Sequence, residues 1–134
     1  MTGKTRTDEI WSILTAIYPN AHIVLTYKTP WELVVAVILS AQCTDAVVNR
    51  VTEKLFVKYP TVGSFADAVP EKLEQDITST GFYRNKAKHI IATARRIRDV
   101  FGGTIPNTMD NLLTLPGVAR KTANVVLWNA FGKN

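Results

Sequence analysis

Two basic side chains, Arg120 and Lys121, follow a Pro-Gly turn at the predicted start of a helix. Pro116 fixes its own φ and removes a donor, while Gly117 can take a positive φ or let another backbone come close. The N–H groups that begin a helix lack partners and lie at the positive end of its dipole, so they favour phosphate and disfavour cations. Two bases here therefore indicate either phosphate contact or a lysine whose ammonium form is destabilised by dipole repulsion and partial burial, which leaves a neutral amine as a nucleophile. For a Pro-Gly turn alone, a plain helix–helix connector is the simpler interpretation.

A cluster of bases precedes this turn. The chain carries 16 Lys and Arg against 11 Asp and Glu, a formal net charge of +5, and residues 84–98 contain no acid. The bases of this segment are Arg84, Lys86, Lys88, Arg95, Arg96 and Arg98. Such clustering favours nucleic acid or an anionic membrane surface, and the alternative is a solvated helix face. Because the apolar residues of the segment form a continuous stripe, its bases are expected on the remaining surface of the helix.

Length and composition exclude several classes of protein. The 134 residues, of which 46% are hydrophobic, predict one folded domain rather than a disordered chain. A single cysteine, Cys43, and two distant histidines predict no structural metal held by this chain alone. The longest apolar run, at residues 33–39, is far shorter than the ~20 residues that cross a membrane, and the polar start resembles no signal peptide. We therefore expect a soluble, cytoplasmic protein with no membrane partner.

The elements that must position these residues are all predicted to be helices. Thr29-Pro30-Trp31-Glu32 is a capping-box signal with proline at the first helical position, and Gly102-Gly103 signals a helix end. No pair of alternating runs joined by a hairpin turn is present. Periodicity and capping predict an all-α fold of about eight helices, at residues 8–18, 31–41, 45–59, 64–69, 70–78, 85–101, 108–114 and 120–131.

Three stretches of the chain match motifs of a known family. They are residues 40–45 (SAQCTD), residues 81–83 (GFY) followed by Lys86-Ala87, and residues 115–126 (LPGVARKTANVV). In this order they resemble the endonuclease III family of DNA glycosylases, the last stretch being similar to its helix-hairpin-helix motif. The resemblance implies a six-helix barrel in residues 20–134 that carries this motif. It also implies an N-terminal helix, in residues 1–19, that belongs to a second, iron–sulfur domain otherwise absent here.

The resemblance implies base-excision repair of double-stranded DNA that carries a damaged or abasic site. The family turns the damaged nucleotide out of the duplex, because its C1′ is inaccessible in the base stack. The family's catalytic lysine falls on Lys121, which would attack C1′, expel the base and form a Schiff base that permits β-elimination of the 3′ phosphate. Relatives that excise adenine or mismatched thymine without strand cleavage usually lack this lysine. Its presence therefore indicates a bifunctional glycosylase/AP lyase that acts on oxidised pyrimidines.

DNA contacts are also implied by the resemblance. Gln42 matches the residue that fills the space left by the extruded nucleotide, and Phe82 lies where a wedge, commonly leucine, enters the opposite strand. Without the resemblance, Gln42 would more simply satisfy backbone groups at a helix end, and Phe82 could be core. The predicted DNA-binding set is Gln42, Asp45, Phe82, Arg84, Lys86, Lys88, Gly117, Val118, Ala119, Arg120 and Thr122. The resemblance also implies a monovalent cation held by the carbonyls of Leu113, Leu115 and Val118.

Two features depart from the family pattern. Ala119 stands where glycine is common, so the turn is expected to use αR-compatible geometry there. Thirteen residues follow Lys121, too few for the family's catalytic aspartate and for the four cysteines of its [4Fe–4S] cluster, so no cofactor is expected in this chain. We therefore expect a truncated domain that is weak or inactive alone. The alternatives are a non-catalytic helix-hairpin-helix DNA-binding module, or one half of an assembly in which residues 8–18 bind another chain or a second copy.

Overall fold

The computed structural model describes residues 25–132. Within that range every regular element is a helix, which confirms the predicted all-α class. The elements are α1 Pro30–Leu39, α2 Asp45–Lys58, α3 Val62–Ala66, α4 Pro70–Asp76, a 3₁₀ helix Thr78–Thr80, α5 Tyr83–Val100, α6 Met109–Leu112 and α7 Arg120–Phe131. None of the helices in this range is long and apolar enough to cross a membrane. The predicted helix at residues 8–18, and the self-association expected through it, lie outside the described residues.

Helix α1 forms the centre of the core and packs against α2, α5 and α7. Thr29 caps it, since its Oγ1 accepts a hydrogen bond from the Glu32 N–H at 3.1 Å, and Pro30 occupies the first turn. The predicted reciprocal capping box is wrong in its second half. The Glu32 carboxylate accepts from the Lys28 N–H at 2.8 Å, one residue before the cap. The helix is otherwise buried nearly all round, as predicted.

Helix α5 is the longest element and packs against α1, α3, α4 and the 3₁₀ helix. Its predicted apolar stripe is confirmed at four fully buried positions, which are Ala87, Ile90, Ala94 and Ile97. The helix begins two residues before the predicted start. Its predicted Gly-Gly end is confirmed, since Gly102 and Gly103 both have positive φ and the Gly103 N–H donates to the Ile97 carbonyl at 2.8 Å.

Helix α3 begins earlier than predicted because a different residue caps it. Ser64 was predicted to begin this helix, but Thr61 is the cap and Ser64 lies three residues later. The Ser64 N–H donates to Thr61 Oγ1 at 3.1 Å, and the Thr61 N–H donates to Ser64 Oγ at 3.0 Å. This reciprocal pair is the capping box of α3, with serine in the place usually held by Glu or Gln.

Candidate nucleic-acid interface

Residues from all three matched stretches meet around one concave surface. It encloses about 300 Å³ and lies between the end of α1, the start of α5 and the turn before α7. We refer to it as the hollow, and its lining residues are Val37, Ile38, Ala41, Gln42, Phe82, Asn85, Lys86, His89, Gly117 and Thr122. Five residues of the predicted DNA-binding set are therefore brought together. They are Gln42, Phe82, Lys86, Gly117 and Thr122.

The turn between α6 and α7 is held by buried apolar side chains and one backbone hydrogen bond. Leu115 and Val118 are buried, and the Val118 N–H donates to the Leu115 carbonyl at 3.0 Å. Ala119 is the N-cap of α7 and has extended backbone (φ −89°, ψ 175°) with no side-chain cap. The expectation of αR-compatible geometry at Ala119 is wrong, because an N-cap residue takes β-region dihedrals. This geometry suits alanine, and it leaves the first N–H groups of α7 without a side-chain partner.

Gly117 is required by close packing and not by a positive φ. A Cβ at this position would lie 2.9 Å from Ile38 Cδ1, 3.1 Å from His89 Cβ and 3.3 Å from Thr93 Oγ1. The Gly117 N–H donates to Thr93 Oγ1 at 3.0 Å. Of the two roles predicted for this glycine, close approach is the one observed, although side chains rather than another backbone approach it.

The two bases that open α7 are both exposed. Arg120 is the first residue of the helix and Lys121 the second. Partial burial was predicted to help destabilise the Lys121 ammonium, and this prediction is wrong because Lys121 is exposed. Thr122, the next residue, is half-buried and lines the hollow. Lys121 is thus exposed to solvent at the N-terminal end of a helix, next in sequence to a residue that lines the hollow.

Gln42 and Phe82 share an unusual backbone conformation. Their φ angles are 54° and 46°, and within residues 25–132 no other non-glycine residue has a positive φ. This region costs an L-residue roughly 1–2 kcal/mol, so the surrounding structure must impose it. Both side chains are exposed, and Phe82 keeps 63% of its surface accessible, which excludes the core alternative for that residue. An exposed aromatic side chain on strained backbone has the accessibility that a wedge needs.

Lys86 lies in the interior and not on the outer surface of α5. It is 4% exposed, and its Nζ donates to the carbonyls of Leu39 at 2.8 Å and Thr80 at 2.7 Å. The prediction that all bases of this helix lie on its free surface is therefore wrong for Lys86. Burial lowers the pKa of Lys86, and Cys43 nearby partly offsets that effect.

The other bases of α5 divide into two groups. Arg84 and Lys88, near the start of the helix, are exposed. Arg95, Arg96 and Arg98 are engaged within the fold, through the Ala66 carbonyl, the Thr114 hydroxyl and the carboxylates of Asp67 and Asp99. Within residues 25–132, only Arg98 of these five bases is paired with carboxylates, whereas Arg84 and Lys88 lie beside the hollow and make no ion pair that neutralises them.

Other predicted site residues do not line the hollow. Asp45 is the first residue of α2, where a carboxylate complements the helix dipole, and Thr44 caps that helix. Backbone carbonyls such as those of Leu113, Leu115 and Val118 are oxygen donors that suit a hard cation, although the Leu115 carbonyl already accepts one hydrogen bond. In the described range, no group of three or more His, Cys, Asp or Glu side chains could hold a metal ion.

Sequence reasoning missed Thr93 and His89. Thr93 is fully buried and accepts the Gly117 hydrogen bond, and His89 packs its Cβ against the same glycine while lining the hollow. A signal for Thr93 was present. It lies three residues after Ile90 and four before Ile97, so it is a polar residue inside an apolar stripe.

Comparison with known proteins gives the family. Residues 35–131 match the family described as HhH-GPD superfamily base excision DNA repair protein. Endonuclease III of Synechocystis sp. is 54% identical over 129 residues, which cover 96% of this chain and 59% of the relative. Endonuclease III of Bacillus subtilis is 53% identical over 116 residues, which cover 87% of this chain and 53% of the relative. The chain therefore spans less than two thirds of the length of these relatives.

Solved structures agree in fold. A trapped endonuclease III–DNA covalent intermediate, an estranged-adenine complex, superposes with a TM-score of 0.80 at 47% identity, over 93% of this chain and 59% of that one. A thermostable thymine-DNA glycosylase superposes with a TM-score of 0.76 at 28% identity, over 98% of this chain and 62% of that one.

Proposed function

Because this chain belongs to the HhH-GPD superfamily of base excision DNA repair proteins, we propose that it acts on damaged bases in double-stranded DNA, with Lys121 as nucleophile. The observation that carries the proposal is the hollow. It joins Gln42, Phe82 and the turn before α7 in one concave surface, and Thr122 in its lining directly follows the exposed Lys121. A nucleotide turned out of a duplex needs a receiving space, groups that replace it in the stack and a reactive group within reach.

The proposed contacts to the DNA backbone come from groups that bind phosphate and do not read the base sequence. The first N–H groups of α7 have no side-chain cap and Arg120 is exposed beside them, while Arg84 and Lys88 are exposed near the start of α5. Phosphate contacts of this kind set the register of a protein on its duplex. A monovalent cation, if bound by the carbonyls of Leu113, Leu115 and Val118, would add positive charge at the same turn.

The chemistry proposed for Lys121 is covalent catalysis. Its neutral amine forms a bond to C1′ of the extruded nucleotide while the glycosidic bond breaks, and the base leaves with the bonding electron pair and takes up a proton. Loss of the amine proton and opening of the sugar ring give a Schiff base between Nζ and C1′. Removal of a C2′ proton then drives cleavage of the C3′–O bond, and the phosphate leaves with the electron pair of that bond. Water hydrolyses the Schiff base and restores the lysine.

We further propose that oxidised pyrimidines are the substrates. The support is Lys121, because relatives that excise adenine or mismatched thymine without strand cleavage usually lack this lysine. In the endonuclease III–DNA covalent intermediate that superposes on this chain, enzyme and DNA were trapped as a covalent adduct, the kind of adduct that a lysine nucleophile would form.

Borohydride trapping on a duplex with one abasic site tests the nucleophile. Borohydride reduces the Schiff base, so the wild-type chain should give a covalent protein–DNA adduct and Lys121→Ala should give none. Lys72→Ala is the matched control, because Lys72 is an exposed lysine of α4 outside the interface. An adduct that persists in Lys121→Ala would assign the nucleophile elsewhere. Duplex binding with no adduct in the wild type would leave a non-catalytic DNA-binding module.

A further inference from the structure

We propose that Lys86 is a positioning residue, which holds the Gln42 and Phe82 loops at a fixed separation so that both can act when a nucleotide is extruded. The proposal rests on the proposed function. It gives Lys86 a role other than the direct DNA contact first predicted for it. The buried position of the side chain and its two backbone acceptors carry the inference.

The Lys86 ammonium joins the ends of two helices. Its Nζ donates at 2.8 Å to the carbonyl of Leu39, the last residue of α1, and at 2.7 Å to the carbonyl of Thr80, the last residue of the 3₁₀ helix. Gln42 lies three residues after Leu39, and Phe82 lies two residues after Thr80. One side chain therefore connects the starting points of both loops.

The two acceptors suit a cation. The last carbonyls of a helix lack partners within the helix, so an ammonium group there makes strong, charge-assisted hydrogen bonds. At Leu39, the end of the ten-residue α1, the helix dipole also favours a cation. A buried ammonium is nevertheless costly, because burial removes its hydration. An apolar residue would fill the same space at lower cost, so a lysine at this position is best explained by the linkage it makes.

The loops that Lys86 connects are the strained ones. Gln42 and Phe82 have φ angles of 54° and 46°, and Gly81 between Thr80 and Phe82 has a φ of 76°. Local hydrogen bonds close each loop separately, from the Cys43 N–H to the Ser40 carbonyl and from the Gly81 N–H to the Thr78 carbonyl, both at 3.1 Å. Strained backbone persists only where its surroundings over-determine it. The Lys86 bonds supply a constraint that acts on both loops together.

The requirement for joint positioning follows from the geometry of extrusion. Gln42 would fill the vacated space and Phe82 would enter the opposite strand, so the two residues act on the two strands of one base pair. An error in the distance between them therefore impairs both functions. Displacements of about 1 Å at such sites are sufficient to lower rates about a hundredfold.

The test is Lys86→Met, which keeps the length of the side chain and removes its donors. The probe is a duplex with a tetrahydrofuran abasic analogue and 2-aminopurine opposite it, whose fluorescence rises when the wedge unstacks that base. We expect the ratio of unstacked to stacked base in the bound complex, measured from this fluorescence, to fall about tenfold, the equilibrium factor that corresponds to the strain of one such residue. Affinity for the same duplex, measured by anisotropy, should fall much less. Lys86→Arg, which keeps a cation with several donors, should restore part of the signal.

Leu73→Ala is the control for stability. Leu73 is fully buried in α4 and belongs to neither loop, so its truncation destabilises the fold through the core. Both variants are compared at a temperature where circular dichroism shows them folded, and Lys86→Gln replaces Lys86→Met if the latter does not fold. The positioning role alone would be overturned if the Lys86 variant unstacked the probe as well as the wild type does. It would also be overturned if Leu73→Ala lost as much unstacking as the Lys86 variant. A wild-type chain that neither unstacks the probe nor forms a borohydride adduct would overturn the proposed function as well.

Discussion

The N–H of Gly117 donates a hydrogen bond to Oγ1 of Thr93 at 3.0 Å, and this contact ties the turn before α7 to the middle of α5. Thr93 is fully buried, so its hydroxyl serves the turn and not the solvent. Lys86, two turns earlier on the same helix, ties the ends of α1 and the 3₁₀ helix in the same way. Helix α5 therefore fixes the positions of the turn before α7 and of the ends of α1 and the 3₁₀ helix.

Thr93→Val should destabilise the fold and weaken DNA binding. Valine fills the same volume but leaves the Gly117 N–H without its acceptor, which costs about 1–3 kcal/mol. Thermal unfolding measures the first effect and duplex anisotropy the second. Thr104→Val, at an exposed position after α5, should change the free energy of unfolding by no more than about 0.5 kcal/mol. Equal stability of the two variants would show that the Thr93 hydrogen bond contributes nothing.

Gly117→Ala should also be destabilising, by about 1–3 kcal/mol, because its methyl group enters occupied space. The end of the Ile38 side chain can turn aside, but His89 Cβ is fixed to α5, so the turn itself must move. Gly63→Ala is a matched control, since the nearest atom to a Cβ there is 3.8 Å away and the residue is helical. That substitution should stabilise the chain by up to about 1 kcal/mol. Opposite signs in the two melting curves are the expected result, and equal shifts would contradict it.

The sequence was sufficient to predict the helices but not the hydrogen bonds that connect them. Apolar periodicity predicted α5 and its buried stripe, and capping signals predicted the starts of α1 and α2. Relative to Ile90, Lys86 lies four residues earlier, whereas Thr93 and Ile97 lie three and seven residues later. These spacings place all four residues on one face of the helix. Two polar residues on a buried face indicate hydrogen bonds to other segments. Their partners, however, are backbone groups whose positions depend on the tertiary fold, and no local pattern identifies them.

Phe82→Gly should separate stability from function. Glycine takes φ 46° without strain, which gains about 1 kcal/mol in the folded state, and the side chain it removes is 63% exposed. We therefore expect a melting temperature that does not fall, together with at least a tenfold loss of 2-aminopurine unstacking. Val57→Ala, which trims another exposed apolar side chain, should leave unstacking unchanged. A Phe82→Gly variant that unstacks the probe normally would remove Phe82 from the wedge role.

The buried Lys86 should give the chain a distinct dependence on alkaline pH. Its pKa is lowered by burial from the ordinary value of 10.5, so the unfolded chain binds more protons than the folded chain between the two values. The free energy of unfolding therefore gains a contribution from this group as pH rises through that interval. Measured against Lys86→Met, the wild type should become relatively more stable as pH rises from neutral towards 10.5.

Comparison of the two variants isolates this effect from other groups. Burial raises the pKa of Tyr27 and Tyr59, and both residues are present in each chain, so their contributions cancel in the difference. Urea unfolding at several pH values supplies the data. Lys72→Met, at an exposed lysine, is the control. A constant difference between wild type and Lys86→Met across the alkaline range would contradict burial of the ammonium.

The division of bases along α5 predicts which of them contribute to the salt dependence of DNA binding. Arg84 and Lys88 are exposed beside the hollow, whereas Arg98 is bound to Asp67 at 3.1 Å and Asp99 at 2.8 Å. Each phosphate contact releases counterions and contributes about 0.9 to the slope of log affinity against log salt concentration. Arg84→Ala and Lys88→Ala should each reduce the magnitude of that slope by about this amount, and Arg98→Ala should leave it unchanged. Titrations of a fluorescent duplex at several salt concentrations give the three slopes. A reduction in Arg98→Ala equal to the others would mean that the whole helix faces the DNA, and an unchanged slope in all three would place the phosphate contacts on the hairpin alone.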